Sequence, residues 1–183
     1  MLKIRIPQTE LWDEVHEEFL YVKEQTLTLE HSLVSISKWE AKWRKPFISS
    51  EKKTMEETLD YVRCMTLTQN VDPLVYRCLS SAQLATIDAY IEAPMTATWF
   101  SDKKDGPKSR SSQQVTSELI YYWMVTYRIP FNECQKWHLN RLLTLIRVCN
   151  EENKPKKKKS QREIMKSNAE LNAARRKKYH SRG

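Results

Sequence analysis

Histidine beside carboxylate is the first pairing to test for chemistry, and it occurs twice, at His16-Glu17 and Glu30-His31. A zinc site of the metalloprotease kind needs a second histidine on the same helix face, and neither pair has one. His138 follows Trp137 in a helical stretch, where a packed or surface imidazole is the plainer reading than a ligand. The four cysteines, Cys64, Cys78, Cys134 and Cys149, include no Cys-x-x-Cys pair, so they read as buried or free thiols of a reducing compartment. Only two glycines occur, Gly106 and Gly183. Phosphate-cradling loops and nucleophile elbows need glycine for close backbone approach and positive φ. The carboxylates Glu56-Glu57 stand in the first turn of a predicted helix, where they favour its dipole. No residue is therefore assigned to catalysis, to a cofactor or to a metal, and the chain reads as non-enzymatic.

Aromatic and cationic residues interleave at one place. Trp39 and Trp43 are four apart and so share a helix face, with Phe47 beyond them and Lys38, Lys42, Arg44 and Lys45 around them. Such a cluster could stack bases or grip a peptide. It could equally be a core helix whose lysines are solvated. Both readings stand at this level.

Charge divides the chain. Residues 151–183 hold twelve Lys/Arg against four Asp/Glu, which equals the +8 of the whole chain, so residues 1–150 are neutral. Two regions are expected: a folded body over 1–150 and a basic tail over 151–183. The tail opens with Lys156, Lys157, Lys158 and Lys159 around Pro155, a run that self-repulsion should keep extended. Ser160 and Glu163 then form a capping box. A helix from Gln161 to about Lys178 carries a thin apolar stripe through Ile164 and Leu171, with Arg175 and Arg176 near its end. The tail therefore reads as a recognition arm that orders on a protein, as a phosphate-neutralising grip on nucleic acid, or as a solubilising end.

The positioning elements follow from periodicity. Leu2, Ile4 and Ile6 alternate with Lys3 and Arg5 as a half-buried strand, and Phe19–Val22 and Thr26–Leu29 read as two more, with Glu10–Trp12 as a further candidate. A small antiparallel sheet over 1–31 needs a helix to cover one face. From 32 to 150 the body turns helical. Leu33, Ile36, Trp39 or Glu40, and Trp43 predict a helix over about 32–45 that Pro46 ends. Thr54 and Glu57 form a capping box for a helix to about Met65, with Leu59, Val62 and Met65 or Thr66 inward. Asp72-Pro73 starts another, with Leu74, Cys78 and Leu79 inward. Helices are further expected over about 82–92 and, apolar on every face and hence central, over about 116–128. Asn132 with Gln135 opens a last body helix to Cys149, packed antiparallel on its predecessor. Ser101–Ser112 is the loop with the most breaker content. The longest apolar run, Leu119–Val125, is far short of the roughly 20 residues a membrane span needs. The fold class is α+β, mostly α.

The segments Thr28-Leu29-Glu30-His31-Ser32-Leu33, Lys38-Trp39-Glu40 with Trp43 and Pro46-Phe47, Cys64-Met65-Thr66 with Asn70, and Ile129-Pro130-Phe131 running to Gln135–Arg141 resemble a family of tailed bacteriophages and prophages, the tail assembly chaperones of the tail morphogenesis module. The resemblance extends to Asn168–Arg176. It implies a non-virion factor of the host cytoplasm that binds the long, helical tape measure protein and lets tail tube assembly begin. The family offers no established site residues to carry over. It also implies that a longer frameshifted product could arise at an A-rich stretch encoding Lys156–Lys159. The partner residues proposed from the sequence are Trp39, Trp43, Phe47, Lys156–Lys159, Ile164, Leu171, Arg175 and Arg176. The partner is expected to be the tape measure protein, with self-association open, no membrane, and nucleic acid as the alternative. A packaging accessory protein and a head–tail connector or tail-completion subunit are the competing functions.

Overall fold

The computed structural model describes residues 1–14, 16–100, 114–153 and 161–179, with backbone alone for residues 13 and 161–164. The chain forms two compact units, Met1–Cys149 and Asn150–Gly183. The expectations for Ser101–Ser112, for Lys156–Lys159, for the Ser160 cap and for the Ile164 side chain lie outside the described residues.

The first unit is α+β and mostly helical. Its N-terminal 30 residues form one long hairpin made of two ladders. Strand β1 (Leu2–Ile6) pairs antiparallel with β4 (Gln25–Leu29), and β2 (Thr9–Asp13) pairs with β3 (Glu18–Val22). Pro7 lacks an N–H and interrupts pairing between the two ladders. In the inner ladder Ile4 faces Leu27, and both are buried while Lys3 and Arg5 face out. Beyond β4 the chain after helix α2 (Met55–Met65) adds an extended edge, with Leu67 N–H donating to Thr28 O at 2.8 Å and Glu30 N–H to Met65 O at 2.9 Å.

Helix α1 (Leu33–Trp43) starts at a capping box between Ser32 and Ser35. It ends at Arg44, whose left-handed backbone (φ 54°) lets its N–H return to Glu40 O at 2.8 Å, in a position glycine usually takes. Leu33, Ile36 and Trp39 go to the core. Helix α2 has the Thr54–Glu57 box, but it turns Glu57, Asp60 and Tyr61 inward together with Val62 and Met65, leaving Leu59 half-buried. The acids are tolerable there because α1 supplies donors: the Trp43 indole N–H donates to Asp60 at 2.9 Å, Lys42 pairs with the same carboxylate, and Lys45 pairs with Glu57 at 2.7 Å. Asp72 caps a tight 3-10 segment, Pro73–Cys78, which buries Val75 and Tyr76 rather than Leu74 and Cys78.

Helix α3 (Ser81–Glu92) is tied to β1 by Gln83, whose amide donates to Arg5 O at 2.8 Å. Helix α4 (Ser117–Thr126) packs on α1. It is not central as its composition suggested: Ile120 and Met124 are buried, but Tyr122 and Val125 face solvent. It closes at Arg128 (φ 55°) with Ile129 N–H on Met124 O and Arg128 N–H on Val125 O, the two bonds of a Schellman motif. The last body helix expected from Asn132 is two helices, α5 (Phe131–Cys134) and α6 (Leu139–Asn153). The break arises because Leu139 N–H bonds to His31 O at 2.7 Å, a partner far upstream, while the His138 ring takes the Asn140 amide in place of a helical acceptor.

The second unit contains α7 (Gln161–Tyr179), close to the expected range. From 165 onward nearly every residue is exposed. Arg176, Lys177 and Lys178 occupy its last turn, where cations favour the dipole.

Candidate protein-binding surface

The aromatic cluster expected on α1 exists, and it is internal. Trp39 and Trp43 stack at 6.1 Å between centroids, and Phe47 meets Trp39 at 5.2 Å and Tyr61 at 4.0 Å. Trp39 is 1% exposed and its indole donates to Glu57 O at 2.9 Å, so it is withdrawn as a partner residue. Trp43 and Phe47 are half-buried. Two cations beside them are committed to the fold: Lys42 lies over Trp43, while Lys53 lies 4.2 Å over Phe47 and donates to its carbonyl. Burial holds the Lys53 ammonium below its usual range. Leu171, Arg175 and Arg176 sit on the exposed surface of α7.

A different concavity lies along the other side of α1. A groove of about 380 Å³ is lined by Val34, Cys64, Met65 and Leu67, with Lys38 and Lys136 at its rim. Its lining comes from four parts of the sequence, Met1, the stretch from Glu30 to Lys38, Cys64–Leu67 and Lys136. Val34 and Lys38 are one turn apart on α1, Cys64 and Met65 close α2, and Lys136 follows α5. Val34 N–H on Gln135 O and Tyr121 Oη on the Gln135 side chain at 3.2 Å link the groove to α4. On α4, Tyr122 and Val125 remain outward, and Phe131 rests against Tyr121 at 5.7 Å. Lone exposed apolar residues mean little, but an apolar groove with a cationic rim can take apolar anchors from an amphipathic segment with acidic flanks.

Beneath the groove runs a buried polar seam. The Glu30 carboxylate, at the groove wall, accepts from Tyr90 Oη at 2.8 Å and pairs with the terminal amine at 3.0 Å. His31 Nδ1 and Tyr61 Oη are 2.5 Å apart, and the His31 and His138 rings are 5.1 Å apart. Asn140 N–H donates to His138 Nδ1, so the ring proton sits on Nε2 and donates to Tyr90 O at 2.9 Å. Burial, then the neighbouring His138, lowers the His31 imidazole to about 3. Burial also lowers His138 and raises Tyr61 and Tyr90. These groups fix the exits of β4 and α3 and the start of α6, and they hold the wall of the groove.

Cys64, Cys78 and Cys134 are free thiols, and burial raises all three, which keeps them protonated. Among the described residues no group of three or more metal-ligating side chains converges, and no helix is long and apolar enough to cross a membrane. Sequence reasoning missed the groove because Val34, Leu67 and Lys136 share no local period. The outward Tyr122 and Val125 had a signal: a ten-residue helix apolar on every face must leave some of them uncovered unless neighbours surround it. No family model, no curated protein and no solved structure matches this chain.

Proposed function

We propose that this protein is a non-enzymatic tail assembly chaperone of a tailed bacteriophage, which binds the tape measure protein in the host cytoplasm and is absent from the mature virion. The observation that carries the reading is the apolar groove beside α1 with Lys38 and Lys136 at its rim. A long helical client presents apolar residues at i, i+3 and i+4, and a groove of this kind covers such a stripe while the rim lysines meet acidic flanks. The resemblance of the chain to the chaperone family supplies the client's identity. Co-expression with the tape measure protein tests it: the intact chain should retain the client on affinity capture, and Leu67→Glu or the Lys38→Glu, Lys136→Glu pair should reduce capture roughly tenfold, about 1.4 kcal/mol. Recovery of the chain at stoichiometric copy in purified virions would overturn the chaperone reading in favour of a connector or completion subunit.

The cationic end of α7 favours a second reading, nucleic-acid binding through Arg175, Arg176, Lys177 and Lys178. That reading requires affinity that collapses between low and moderate salt. Charge reversal at Arg175 and Arg176 that leaves such binding intact would sink it.

A further inference from the structure

Among the described residues β2 and β3 pair only with each other, so each strand presents an outer edge without a ladder partner. One face of this two-stranded sheet rests on the body, with Leu11 and Leu20 half-buried and Val22 fully buried. The other face is aromatic and open. Trp12 stands opposite Phe19 with ring centroids 4.9 Å apart, and Tyr21 stands opposite Glu10. These three rings are 49%, 68% and 51% exposed.

The charge over the same element has one sign. Residues 8–22 contain five Asp/Glu and no Lys/Arg. Glu10, Glu14, Glu17 and Glu18 are exposed and make no ion pair among the described residues. Charges on a free edge guard against aggregation, but a guarded edge has no need of three uncovered rings beside it. Two copies of this tip set edge to edge would oppose acid with acid, so the charge selects against a second copy and for a cationic strand.

We propose that the β2–β3 tip is a docking site for an extended, lysine- or arginine-rich segment of a partner protein. The segment adds as a third strand on the hairpin, its main chain bonding to the free edge. Its apolar side chains on one face lie over Trp12, Phe19 and Tyr21, and its cations, on the opposite face and at the turn, meet Glu18 and the turn acids Glu14 and Glu17. The site is separate from the α1 groove and stands whether or not the groove binds a tape measure protein.

The test is fluorescence anisotropy on the full chain with a short labelled probe that alternates lysine with valine and isoleucine. Saturable binding is expected, and replacing every lysine of the probe by glutamate should abolish it. Alternate N-methylation, which removes the ladder donors, should weaken binding at least about tenfold. Trp12→Ser and Phe19→Ser should weaken it comparably with the far-UV spectrum unchanged. Should those variants misfold, Glu14→Lys with Glu18→Lys changes only exposed charges, and it should reject the lysine probe and admit the glutamate one. Three results would each overturn the proposal: no saturable binding, equal affinity for the N-methylated probe, or a dimer in sedimentation that forms through the tip and excludes the probe.

Discussion

The two ladders of the N-terminal hairpin are both five-residue antiparallel pairs in one continuous arm, yet one is core and the other is surface. In β1–β4 the apolar residues keep one parity, so a single face holds Ile4, Ile6, Leu27 and Leu29 and all four are buried in the core. In β2–β3 both parities are apolar, and the body can cover only one of the two faces. The contrast teaches that alternation reports how many faces a strand needs covered, and the surplus face of the tip is where a partner's contribution belongs.

The comparison is broken most forcefully from the inner side. Leu27→Ala should cost about 2–5 kcal/mol, because Leu27 is fully buried and its neighbours are pinned by ladder bonds. Chemical denaturation checks this, and a loss below about 1 kcal/mol would mean the inner ladder is no better packed than the tip. Next comes pH. His31 follows the inner ladder, and the folded state holds its imidazole at about 3 against an ordinary 6.5. The unfolded chain therefore takes up a proton below about 6.5 that the folded chain refuses. Stability is full above that pH and declines as pH falls toward 3, by up to about 1.4 kcal/mol per unit. The His31→Gln variant should show a shallower slope in denaturation midpoints across pH 4–7, and an unchanged slope would remove His31 as the cause. Smaller still, Trp12→Ser or Phe19→Ser should change stability by only about 0.2–1 kcal/mol, the worth of an exposed cross-strand pair. The smallest effect has the opposite sign. Glu17 holds φ 53° at the tip turn, so Glu17→Gly should slow amide exchange in β2 and β3 and add about 0.5 kcal/mol.

Much of the architecture was legible from local rules. Thr54 with Glu57, Asp72 before Pro73, and the alternation of Leu2, Ile4 and Ile6 each declare an element through contacts within a few residues, and the structure places them accordingly. The Trp39 row was legible as a helix face, but its fate was not, because two readings of a tryptophan beside lysines differ only in what lies across from it. The partition of Asn132–Cys149 into two helices depends on His31, a hundred residues upstream, and no window around Gln135 contains that information. The groove was invisible for the same reason: it is a space between four segments, each ordinary on its own. The sequence has only two glycines, yet among the described residues five left-handed positions are filled by Glu17, Arg44, Asn70, Met95 and Arg128.

Glu40 carries a consequence for the order in which the chain assembles. One of its carboxylate oxygens accepts from Phe47 N–H at 2.7 Å, and the other accepts at 2.8 Å from Ser117 N–H, at the first turn of α4. Thr116 provides no side-chain cap of its own. The N-terminus of α4 is thus satisfied only after a loop of more than seventy residues has closed, a step whose entropic cost precedes any reward. Helix α1 can form from local contacts, but α4 must wait for it. In the native state the same dependence runs backwards: when the Ser117–Glu40 bond opens, the first turn of α4 loses its acceptor at once. Its amides and that of Phe47 should then exchange with solvent as one cooperative unit, at a free energy below that of global unfolding.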